Sequence, residues 1–258
     1  MFLSRLKKHM TEQNWFAVWL ELFILFLAVF VGLQADNWNE ERIAKKNAKI
    51  YYERLIADLE SEERTRLTRI RYNEQTLAHG KSALEALQQP ELENKEEFLV
   101  DLYQATQLWN YTPQRATYDE LLSVGIANAI PNIEARTRLA NYYLGLENSQ
   151  QIQQERIPYR QSLRRFMPHV IQNAVRQNCG DIFESGEDGV VLIYLPEECN
   201  LSLDQAVIDS AVDKTLLYEN LEVDLTQRLA DLENKVTNLR NYISPTRELA
   251  SQLAELTD

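Results

Sequence analysis

Glycine and proline are scarce, seven of each in 258 residues. So few turn-formers exclude a fold built from many short hairpins and favour long helices. Histidine occurs only at His9, His79 and His169, and none sits in an H-E-x-x-H or other metal-ligand spacing. There is no glycine-rich phosphate loop, no G-x-S-x-G and no C-x-x-C. The sequence therefore offers no local signature of catalysis, metal or cofactor, and the expectation is a non-enzymatic protein that needs none of these. Positive charge is also short. Beyond residue 35, 24 Lys and Arg stand against 37 Asp and Glu, about 13 net negative charges. A nucleic-acid binder needs a basic face, so nucleic acid is not an expected partner.

What is present is one long apolar run. From Trp15 to Leu33 the only charged residue is Glu21. Nineteen helical residues span about 28 Å, close to the ~30 Å hydrocarbon core of a bilayer. Trp15, Trp19 and Trp38 flank the run as interfacial aromatics do. Residues 14–35 thus read as a transmembrane anchor, and the lipid bilayer as a partner. Arg5, Lys7 and Lys8 ahead of the run also fit a signal peptide. The run is longer than a signal h-region, however, and its exit, Gly32 to Asp36, lacks a small-x-small cleavage site. A buried soluble helix is rarely apolar on every face for five turns. Glu21 admits two readings: an intramembrane contact or proton site within a helix assembly, or a near-interface carboxylate satisfied by water and lipid.

The fold class expected is mainly α. Residues 1–13 form a basic amphipathic lead-in. No proline or glycine interrupts residues 36–79, so the anchor continues as a juxtamembrane helix over 36–89. Ile56, Ile70, Leu77 and Leu84 recur at multiples of seven, with Leu59, Leu67 and Leu87 widening the stripe. Residues 90–175 form a helical domain, with helices over 94–109, 118–124, 132–154 and 160–175. Thr117 and Glu120 have capping-box spacing. Residues 176–204 are a Gly- and acid-rich insert with the apolar run Val190–Leu195, expected as a loop or short strand. Acidic residues in a Gly-rich loop invite calcium there, but their spacing does not meet the EF-hand pattern, and a solvated loop is the expectation. Residues 205–258 carry a heptad seam, Tyr218, Leu225, Leu232 and Leu239 interleaved with Leu229, Val236 and Ile243. That seam serves either to pack back antiparallel on the stalk or to form a homomeric coiled coil.

The two cysteines, Cys179 and Cys199, both lie within the insert. A disulfide closing it, in an oxidising compartment, stands beside two free thiols as a possible state. Lysine and arginine counts on either side of the span are nearly balanced. A short N-terminal tail before a first span usually stays inside, which places the C-terminal domain outside.

Two stretches together resemble a known family. One is the apolar span with Glu21 followed by Asn37, Trp38, Asn39, Glu40, Glu41 and Arg42. The other is Ala116-Thr117-Tyr118-Asp119-Glu120-Leu121-Leu122-Ser123-Val124-Gly125, with Arg138 to Tyr143 after it. This resembles a family of uncharacterised bacterial single-span membrane proteins, a domain of unknown function. Its members more often read Ser-Gly-Asn where this chain has Val124-Gly125-Ile126. The resemblance implies a bacterial inner membrane and a periplasmic C-terminal domain, and supplies no activity or ligand. The expected role is a membrane-anchored interaction or scaffold protein with a membrane-protein partner or homo-oligomer. Alternatives are a periplasmic sensor or ligand-binding domain, or an accessory subunit of a membrane complex that uses Glu21.

Overall fold

One helix, α1, runs unbroken from Trp15 to Leu87. The computed structural model describes residues 15–110, 112–154, 156–186 and 190–257; the basic lead-in lies outside them. At 1.5 Å per residue, the 73 residues of α1 extend about 110 Å. Its first part is long and apolar enough to cross a membrane. Phe16, Trp19, Phe23, Phe26, Val31 and Leu33 are all exposed there, so the segment is no buried core helix. Residues 36–43 and 45–47 are exposed as well, and past the apolar segment the described elements cover α1 from about Ala48 onward.

Where α1 is covered, the apolar stripe in the sequence is used in part: Leu59 and Ile70 are buried, and Ile56, Leu77 and Leu84 pack half-buried against the cores, beside a second, more deeply buried seam. Ala48, Tyr52, Leu55, Leu59, Glu62, Arg66 and Arg69 are buried at alternating steps of four and three residues. This is a heptad seam whose middle positions are charged. Apolar periodicity passes over Glu62, Arg66 and Arg69, and so settles on Ile56, Ile70, Leu77 and Leu84. Leu67, assigned to that stripe, is 43% exposed.

The remaining elements wrap the covered part of α1. They are α2 (Lys95–Gln104), α3 (Ala116–Val124), α4 (Ile126–Ala129), α5 (Ile133–Gln153), α6 (Pro158–Phe166) and α7 (His169–Asn178). A two-stranded hairpin, β1 (Ile182–Ser185) and β2 (Val191–Tyr194), precedes α8 (Gln205–Thr215), α9 (Leu221–Asn241) and α10 (Ile243–Ala254). Asn94 and Asn132 cap α2 and α5, their side chains accepting from the Glu97 and Ala135 backbone N–H groups. α2 stops at Gln104, short of the expected Trp109. The helix expected over 160–175 is cut at Met167–Pro168, because proline cannot continue a helix and holds the residue before it extended.

α9 and α10 pack antiparallel on α1. Lys81 meets Glu233, Glu74 meets Arg240, Glu63 meets Arg247 and Lys49 donates to the Thr257 carbonyl, so one numbering falls as the other rises. Leu225, Leu229, Leu232, Val236 and Leu239 are buried in this packing, and the seam is used inside the molecule. Gly80 permits the close approach: a Cβ there would lie 2.5 Å from Leu229 Cδ2.

Two larger apolar cores result among the described residues, beside two small clusters. One gathers α2, α6, α7, α8 and the start of α9 around Phe98, Leu102, Leu163, Ile171 and Leu225. The other, nearer the apolar segment, gathers α3, α5 and α10 around Leu55, Leu59, Leu121, Leu139 and Leu253. A buried polar belt separates them. Glu62 pairs with Arg66 at 2.6 Å, both almost fully buried. Glu62 also accepts from the Gln114 N–H at 2.9 Å. Arg66 lies over the Tyr242 ring, and Lys235 donates to the Gln153 carbonyl.

Candidate functional site

A wide cleft lies at the end of α1 farthest from the apolar segment. It has a volume of about 700 Å³. α1 contributes His79, α2 contributes Glu96, Glu97 and Asp101, and the insert contributes Glu197 and Glu198. His79 Nδ1 stands 2.7 Å from Asp101 Oδ1. Burial pushes the Asp101 carboxyl above its ordinary value, and the hydrogen bond from His79 works against that shift. Glu96 accepts from the Leu201 backbone N–H at 2.6 Å, tying the insert to α2. The nearby lysines are engaged elsewhere, Lys81 with Glu233 and Lys95 with Asp209. The cleft is therefore negative, with one imidazole on its floor.

Beside it, the C-terminal end of α2 is ringed by arginines. Arg228 donates to the Ala105 and Gln107 carbonyls, Arg160 to Thr106 and Arg69 to Trp109, at 2.7 to 3.1 Å. Arg164 donates to the Thr106 hydroxyl at 2.9 Å and lies over the Tyr103 ring. Cations at a helix C-terminus oppose the negative end of its dipole and satisfy its last carbonyls. This accounts for the early stop of α2. Burial pushes the Arg228 guanidinium down to about 10.

The chain matches no family model, no curated protein and no solved structure.

The residues singled out from sequence lie far apart. Glu21 sits in the apolar segment, half-buried, with one carboxylate oxygen buried and without a hydrogen-bond partner. Asn37 to Arg42 lie on the uncovered part of α1; Arg42 donates to Asn39 and stacks over Trp38. Thr117 and Glu120 do not form a capping box. α3 begins at Ala116, its N-cap is Arg115, and no side chain caps it locally. Glu120 is instead held by Arg54 at 2.5 Å, and Asp58 of α1 accepts from the Thr117 backbone N–H at 3.1 Å. The cap comes from a neighbouring helix because Arg54 takes the local carboxylate. Cys179 and Cys199 form a disulfide, with Cα atoms 5.3 Å apart. Glu187, Asp188 and Gly189 of the calcium reading lie outside the described residues. Among the described residues no group of three or more His, Cys, Asp or Glu is arranged to hold a metal. The His79–Asp101 pair was missed because 22 residues separate its members and no local pattern joins them.

Proposed function

We propose that this chain is a membrane-anchored helical interaction protein, a scaffold or tether whose bundle is held off the bilayer by its own span helix. The carrying observation is the continuity of α1 from Trp15 to Leu87. Between Leu33 and Ala48, about 22 Å of single helix separates the span from the covered bundle. His79 lies a further 31 residues along, about 69 Å from Leu33. Such an arm places a binding face at a fixed height. The Cys179–Cys199 disulfide supports an extracytoplasmic bundle, since disulfides persist in oxidising compartments. A bacterial inner membrane rests on the motif resemblance. A homo-oligomer built on the α9 seam has lost its support, because α1 already occupies that seam; other self-contacts and membrane partners are part of the proposal.

Affinity purification of the tagged full chain in mild detergent, read by mass spectrometry and native mass, tests this. A co-purifying protein or an oligomer is the expected result. A lone monomer from native membranes overturns it. Running Glu21→Gln alongside separates readings: loss of the partner assigns the contact to the span, as an accessory-subunit role requires. The acidic cleft favours one second reading, a sensor domain that takes a cationic ligand.

A further inference from the structure

The hairpin is built unevenly. β2 is fixed to α1: Ile193 and Leu195 are buried beside Tyr72. The Gln75 side-chain amide exchanges two hydrogen bonds with the Leu195 backbone, at 3.1 and 3.0 Å. Tyr72 donates to Asp181 at 2.9 Å, and the disulfide closes the base of the insert. β1 pairs only with β2 among the described residues, and all four of its residues are exposed. It is an edge strand held open on a rigid support.

The register says what that edge offers. Ile182 pairs with Tyr194, Phe183 with Ile193, Glu184 with Leu192 and Ser185 with Val191. The Gly186 N–H donates to the Val190 carbonyl. By antiparallel alternation, Glu184 and Ile182 turn their backbone groups toward β2, and Phe183 and Ser185 turn theirs outward. The two faces differ chemically. Phe183, 64% exposed, shares the Ile193 face and overhangs the bundle. Glu184 lies on the other face, accepting from the Tyr194 hydroxyl. From Gly180 to Asn200 the sequence has six acidic residues and no Lys, Arg or His. The nearby cation is Arg71, stacked over the Tyr194 ring.

We infer that β1 is a docking edge to which an extended partner segment, alternating apolar residues with lysine or arginine, adds as a third strand. The pleat dictates that alternation: apolar side chains fall on the Phe183 face and cations on the Glu184 face. Backbone bonds to Phe183 and Ser185 set the register, and the acidic insert selects the charge. The bracing by Gln75, Tyr72 and the disulfide leaves little to order on binding. This deepens the scaffold reading and rests on it.

The test uses the full chain in nanodiscs and three ten-residue probe peptides: alternating Val-Lys, alternating Val-Glu, and a block peptide of five Val then five Lys. Saturable binding of Val-Lys, with exchange of the Phe183 and Ser185 amides slowed at least tenfold, is expected. Ser185→Pro removes an outward N–H without touching the β1–β2 ladder, and Phe183→Lys puts a like charge on the edge. Each is expected to weaken Val-Lys binding about tenfold while the disulfide still forms. Equal binding of the block or Val-Glu peptide, unchanged exchange at Phe183 and Ser185, or unaltered affinity in both variants overturns the proposal. So does dimerisation of the peptide-free chain that Ser185→Pro abolishes, which would assign the edge to a second copy. A native partner retained by both variants sinks the edge but leaves the scaffold role; absence of any partner from wild type sinks the scaffold role itself.

Discussion

The Glu62–Arg66 pair shows how much a single buried charge costs when its partner leaves. Both side chains are almost fully buried. Arg66→Met leaves the buried Glu62 carboxylate without its cation and is expected to destabilise the fold by about 3–5 kcal/mol. The Glu62→Leu, Arg66→Met double variant is expected to recover most of that loss. Urea midpoints of the full chain in detergent check both. Asp101 carries a pH signature. Its folded-state pKa is raised by burial, so its contribution is fully present below the ordinary carboxylate range and is lost as pH rises through the raised value. Asp101→Asn removes that loss. The midpoint of the variant relative to wild type should therefore rise as pH increases above the ordinary carboxylate range. Neither residue was legible as such: charged residues in a seam read as surface, and His79 with Asp101 has no local spacing.

At the scale of elements, the insert depends on its cross-link. The disulfide closes a loop between residues 20 apart, for which chain entropy gives about 3 kcal/mol of stabilisation. Cys179→Ser with Cys199→Ser is expected to lose about that much, read as a lower urea midpoint without reductant. The hairpin was legible only as a short apolar run, because β1, the strand that pairs with it, has no apolar run of its own. Helix ends divided by cause. Asn94 and Asn132 act through their own side chains on the next turn, and Gly125 through its own backbone at φ 88°, so the helix bounds at these residues were readable. The C-terminal end of α2 and the start of α3 are set by Arg228, Arg160 and Asp58, which come from other helices.

For the whole molecule, the uncovered arm is the weak point. Residues 45–47 are exposed and free of packing, so local opening there costs little. Brief trypsin treatment of the protein in nanodiscs is expected to cut first at Arg42, Lys45 or Lys46 and to release the bundle intact, which mass spectrometry reads directly. First cleavage within residues 48–87 would mean that the arm is covered in the membrane.

The amino-acid sequence alone determined the long apolar helix and the helical class. An apolar run and a lack of glycine and proline act locally, wherever the rest of the chain goes. It also determined that α9 carries a seam, since its apolar spacing is its own. Tertiary structure decided what that seam meets, which charges α1 buries, and which cysteines and carboxylates come together. Those outcomes depend on pairs far apart in sequence, whose energies exist only once the helices have packed.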